Sequence, residues 1–217
     1  MPNWCFTHMV FHGNKKEIEE LHAKIEEWTS KSLRPNGFGN NWLGNIVIGA
    51  GLGEHIDSET DRIRCRGELE YVSDVESVSD EEAYFEIDQS TAWAPMCALW
   101  SAVIDKLDYK SIGYSYVAEE PGMGIYEIYD PYGDFPDSYC IDVWLEDADQ
   151  KNDALMKIYD DRYYADEKSI IEALQKLLST EETDYKVLKD KAENYPFADE
   201  NSYLIINEYD IVDEPYM

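Results

Sequence analysis

Trp4, Trp93, Glu119 and Glu120 each fall where a strand should meet a turn, and together they have the makings of a small site. Two indoles beside two carboxylates can hold a cationic side chain through charge and cation–π contact. If burial raised the pKa of one carboxyl, the same pair would serve as the acid and base of an enzyme. The simpler alternative is that the indoles plug a sheet edge while the acids shape a turn. Further acids follow at Asp130, Asp134 and Asp137, and at Glu146, Asp147 and Asp149 just after Trp144. Carboxylates held several Å apart on folded elements imitate the phosphates that basic clefts expect, with Trp93 and Trp144 as aromatic anchors.

Other constellations fall short of a chemistry. His8 and His12 share a strand face but stand about 13 Å apart, too far for one metal ion. His22 and His55 have no companions at ligand spacing. Asp147 and Asp149 resemble the start of an EF-hand loop, but Lys151, Asn152 and Ile158 occupy its fifth, sixth and twelfth positions. Gly49-Ala50-Gly51-Leu52-Gly53 misses the dinucleotide fingerprint by one position, and Arg34, Arg62, Arg64 and Arg66 only flank that segment. Cys5, Cys65, Cys97 and Cys140 are widely spaced, as buried thiols are. No cofactor, metal or catalytic set is expected.

Charge narrows the partners. Forty-seven acidic residues against eighteen Lys and Arg give 217 residues a net charge of -29. Such an excess repels nucleic acid and anionic membrane, so the expected partner is a basic protein surface. Seventeen Tyr and six Trp argue against disorder. The acid runs throughout, with nineteen acidic residues in 1–107 and twenty-eight in 108–217. No secretory signal or apolar span is read, and the expected setting is cytoplasmic.

These residues need elements to position them. Alternation over Cys5–His12 predicts a strand, and Asn14 with Glu17 opens an amphipathic helix carrying Ile18, Leu21, Ile25 and Trp28. The glycine-rich stretch 35–53 reads as a loop in which Trp42 and the apolar run Ile46-Val47-Ile48 give one strand or buried turn. Strands are expected at 62–72 and 83–87, a helix at 95–107, and strands at 111–118, 124–129 and 139–145. An acidic linker at 146–153 should lead to a strand at 155–164, helices at 167–178 and 182–193, and a last strand at 203–211. The order is that of an α+β protein: a ferredoxin-like antiparallel sheet with helices on one face over 1–147, and a C-terminal β-α-α-β extension over 148–217.

Three segments carry a family likeness. Met1-Pro2-Asn3-Trp4-Cys5, then Ser90-Thr91-Ala92-Trp93-Ala94-Pro95, then Tyr116-Val117-Ala118-Glu119-Glu120-Pro121-Gly122-Met123 occur in this order. The trio resembles the YubB-type ferredoxin-like domain family, which includes phage-borne and plasmid-borne proteins. The likeness covers roughly residues 1–145 and departs at Phe6 and Thr7, where members usually carry a polar residue and an asparagine. It implies the fold and a mobile-element setting, not a reaction. The expected function is therefore non-enzymatic: an acidic protein that engages a basic partner. An enzyme using Glu119 and Glu120 beside the indoles stays open, as does a homo-oligomer that buries the Phe6–Val10 face.

Overall fold

Alternation in the first strand sets the architecture. In β1 (Trp4–Asn14) the side chains of Cys5, Thr7, Met9 and Phe11 are fully buried, while Trp4, Phe6, His8 and His12 take the opposite side. β4 (Glu82–Ala92) pairs antiparallel with β1 along its whole length, from Trp4 opposite Ala92 to Asn14 opposite Glu82. β5 (Gly113–Glu120) lies antiparallel on the other side of β1. β2 (Gly67–Val72) then flanks β4, and β6 (Ile125–Tyr129) flanks β5. The two-residue β3 (Glu76–Ser77) also pairs with β4, and β10 (Asp210–Ile211) joins β6. The sheet order is β10-β6-β5-β1-β4-β2.

This computed structural model describes residues 3–34 and 38–215. Met1 and Pro2 of the opening motif, and Pro35 and Gly37 of the glycine-rich stretch, lie outside the described residues. The chain forms two units, Met1–Phe135 with Ile211–Met217, and Pro136–Asp210. The general class is α+β, with mostly antiparallel strands.

In the first unit, helices cover the inward sheet face. Asn14 accepts the Lys16 N–H and caps α1 (Lys15–Thr29), whose Ile18, Leu21, Ile25 and Trp28 are buried. α3 (Ala98–Lys106) contributes Leu99, Trp100, Val103 and Ile104. Phe11 stacks on Phe85 at 5.0 Å and meets the Trp100 ring edge-on at 5.2 Å. β4 runs past the expected Ile87 to Ala92; there Gln89 accepts the Trp100 indole N–H, and Thr91 donates to the Ala94 carbonyl.

The glycine-rich stretch departs from expectation. Leu43–Gly49 is a helix, α2, with Leu43, Ile46 and Val47 buried. Two of its glycines serve close packing rather than a turn. A Cβ on Gly44 would sit 2.2 Å from the Trp42 ring, and one on Gly49 would sit 2.3 Å from the Trp28 ring. Buried Asn45 ties the preceding loop down, accepting from the Leu33 N–H and donating to the Gly39 and Asn40 carbonyls.

The second unit holds β7 (Tyr139–Trp144), α4 (Asp153–Asp160), β8 (Tyr163–Tyr164), α5 (Glu167–Leu178), α6 (Tyr185–Glu193) and β9 (Tyr203–Glu208). Its sheet order is β8-β7-β9. The strand expected at 155–164 is mostly helix. Asn152 accepts the Ala154 and Leu155 N–H groups, and Leu155 and Ile158 share a buried side one turn apart. After the 3₁₀ turn, and as far as β9, residues 148–217 thus run α-β-α-α-β, not β-α-α-β. The expected acidic linker is partly internal, since Asp149 opens a 3₁₀ turn and is buried. α5 matches its expected range, with a capping box between Asp166 and Ser169.

Gly49→Ala provides a test of the indole contact. Alanine favours a helix interior by about 1 kcal/mol, whereas overpacking costs about 1–3 kcal/mol. Urea denaturation should show a net loss of up to about 2 kcal/mol. A gain in stability would mean that Trp28 does not rest on this glycine.

Candidate functional site

β1 and β4 bring two of the predicted site residues next to each other. Trp4 lies opposite Ala92, and the Trp93 N–H donates to the Asn3 carbonyl at 2.9 Å. Trp93 has a φ of 76°, in the left-handed region that a bulky residue rarely takes. Holding it there costs about 1–3 kcal/mol, against which the surrounding hydrogen bonds act. The residue remains 45% exposed.

Glu119 and Glu120 occupy successive positions on β5 and therefore face opposite sides of the sheet. Glu119 is opposite Phe6 on the outer face. Glu120 is only 3% exposed, and its carboxylate accepts the Gly122 and Met123 N–H groups. A Cβ on Gly122 would come within 2.5 Å of the Asn3 side-chain amide, so a side chain there would displace that amide. The two carboxylates do not share a substrate position; Glu120 builds the turn that presents Met123. Its charge, after burial itself, also helps push the Cys5 thiol up to about 11.

The later acids are dispersed. Asp130 accepts the N–H groups of Gly133, Asp134 and Phe135 at 2.8–2.9 Å. Burial alone would raise its pKa, but these bonds outweigh burial and lower it. Asp134 holds His12 at 2.8 Å, and Phe135 meets the His8 ring edge-on at 5.7 Å. His8 is also bound by Asp88 at 2.7 Å. In the second unit, burial and the neighbouring Asp161 raise the Asp137 pKa. Trp144 is exposed and its indole donates to Glu146. Asp147 is exposed, while Asp149 accepts from Ala198, Asp199 and Ser202. Bonding to the Ala198 N–H, then Ser202 and Asp199, lowers the Asp149 pKa against burial.

Another concavity of the first unit is basic. A cavity of about 920 Å³ is lined by Arg34, Arg62, Arg64 and Arg66, with Asp57 its one lining carboxylate. The whole chain has five arginines, so four of them converge here. From Arg62 to Leu69 exposure alternates with a period of two, the mark of extended chain. Ile63, Cys65, Gly67 and Leu69 turn inward, and the arginines turn out. Successive guanidinium-bearing positions are then about 7 Å apart along the chain. The Arg66 carbonyl accepts the Ala92 N–H, which ties this row to Trp93.

Arg34 pairs with Asp57 at 2.7 Å and lies 5.8 Å from the centroid of the Trp42 ring. Among the described residues, no ion pair or hydrogen bond engages the side chains of Arg62, Arg64 or Arg66. Burial pushes the Cys65 thiol up to about 11, with the charges of Arg62 and Arg34 working against it. Phe38, Trp42 and Trp93 supply rings; Met96, Met123 and Ile125 supply apolar surface. Guanidinium forks beside aromatic faces are suited to a planar or apolar anion.

The arginines were visible in the sequence only as flanks of a supposed loop. The signal that would have found them is Arg-x-Arg-x-Arg, which on extended chain places all three charges on one side. Searches against models of protein families, curated proteins and solved structures find no match to this chain.

The Asp130 turn should be acid-sensitive. Its folded pKa lies below the ordinary value of 3.8, so its stabilisation is complete above that value and is lost as pH falls through the folded pKa. Carbon-detected titration should show Asp130 protonating below an unfolded reference. Asp130→Asn should lower the melting temperature at neutral pH and lose that difference in acid. An unshifted titration would remove the turn from the acid response.

Proposed function

We propose that the first unit is a binding module whose arginine-lined groove takes a small anionic ligand with an apolar or aromatic part. One observation carries this: in a chain of net charge -29, four of five arginines line one cavity, and three of those have no acidic partner among the described residues. Unpaired like charges repel one another, and so many acids offered many chances of pairing. Their convergence beside Trp42 and Trp93 is what an anion site requires. The surrounding acid then acts as a filter, disfavouring long polyanions whose charge must extend past the groove.

The order β6-β5-β1-β4-β2, with α1 and α2 between β1 and β2 and α3 between β4 and β5, supports a ferredoxin-like assignment for this unit. Asn3 bonds Trp93 and approaches Gly122, so parts of all three motif segments lie close together, which supports the YubB-type likeness; the mobile-element and cytoplasmic setting is proposed from that likeness alone. A second function, engagement of a basic protein surface, is favoured by the net charge and by the exposed Trp144–Glu146 pair beside Asp147.

Fluorescence titration with anilinonaphthalene sulfonate, a single anion on fused rings, tests the groove. Wild type should bind saturably, and Arg64→Gln/Arg66→Gln should bind at least about tenfold more weakly, the loss of one to two charged hydrogen bonds. Equal affinity in a double variant of unchanged circular dichroism would sink the anion site. For the second function, capture from bacterial lysate should retain one basic protein that Glu146→Gln/Asp147→Asn releases; retention unaffected by that change would dismiss these acids.

A further inference from the structure

We infer that the groove takes a nucleoside polyphosphate, with the phosphates on Arg62, Arg64 and Arg66 and the base against the Trp93 indole. This rests on the anion-site proposal above and narrows it by charge, size and shape. Four lining guanidiniums against one lining carboxylate leave a surplus of three positive charges, and Arg34 is already held by Asp57. A monocarboxylate would leave two of the remaining arginines uncompensated, whereas two or three linked phosphates match all three. Arginine forks bind phosphate oxygens bidentately, so no glycine-rich phosphate loop is needed.

Size separates a mononucleotide from a strand. The cavity, about 920 Å³, lies toward the upper end of the roughly 300–1,000 Å³ range of small-ligand sites. A polynucleotide would have to leave it across a surface carrying the rest of a -29 charge. Aromatic surface supplies the other half of the recognition. Trp93 is half-exposed at the cavity, and its N–H and that of Ala92 are fixed by Asn3 and Arg66, so the strained backbone holds the ring beside the arginine row. Trp42 is less available, being buried with Arg34 against its ring and Phe38 at its edge. Flat bases stack on such rings with little sequence preference.

Calorimetric titration of the full chain in magnesium-free, low-salt buffer distinguishes the components. The probes are ATP, UTP, inorganic tripolyphosphate, adenosine and a short single-stranded oligonucleotide. ATP or UTP should bind one per chain, tripolyphosphate about tenfold more weakly, and adenosine more weakly still. Arg66→Gln should weaken ATP and tripolyphosphate alike by about tenfold. Trp93→Ala should weaken ATP by a similar factor and leave tripolyphosphate unchanged; Arg62→Gln gives a second charge variant should either protein fold poorly. Tripolyphosphate binding as tightly as ATP, with no effect of Trp93→Ala, would overturn the nucleotide and leave the anion site standing. Tighter binding of the oligonucleotide than of ATP would also overturn it, in favour of a strand. Failure of every phosphate while anilinonaphthalene sulfonate still binds would do the same; failure of both would end the site itself.

Discussion

The eleven-residue ladder between β1 and β4 is the constraint on which the first unit depends. Because side chains alternate along a strand, fixing Trp4 opposite Ala92 decides every other face at once. Cys5, Met9 and Phe11 meet Phe85, Ile87 and the helices, while His8 and His12 are left to Asp88 and Asp134. The end of the same ladder places Trp93 directly after its last paired residue, bonded to Asn3. A slip of one residue would exchange the core face for the acidic outer face. The stacked Phe11–Phe85 pair and the full burial of Trp100 oppose such a slip.

The charge of this chain has two characters. Some acids are structural: Glu120, Asp130 and Asp149 each accept at least two backbone N–H groups that a turn would otherwise leave unsatisfied. Others, such as Asp147, lie in solvent. The arginines are not dispersed among them as surface partners. One row of three, with Arg34 over the Trp42 ring, concentrates positive charge along one cavity. Net charge alone points to a basic partner; local charge points to an anion at this groove.

Much of the fold was legible because it follows period. Ile18, Leu21, Ile25 and Trp28 repeat at helical spacing, and α5 begins at a capping box, so both helices stand where the sequence places them. Alternation likewise reveals β1. Elements were missed where composition suggested a different use. Glycines that suggested a loop over 37–53 partly serve to admit the Trp28 and Trp42 rings against α2. α4, read as a strand, is short enough that two buried residues, Leu155 and Ile158, carry its whole helical signal. The polar end of β4 concealed itself because Gln89 and Thr91 find their partners on residues 11 and 3 positions away in a following segment.

By itself, then, the sequence determined the α+β class, the main helix and strand periods, the acidity and the aromatic content, all of which depend on neighbours along the chain. Which charges converge was decided only by tertiary structure. Glu119 and Glu120 are adjacent in sequence yet lie on opposite sides of a sheet, because the pleat reverses at every residue. Arg34 and Arg66 are 32 positions apart yet line one cavity, because α2 and β2 return the chain to the edge of β4. Position along the chain sets what a side chain can do, and long-range pairing sets what it does it with.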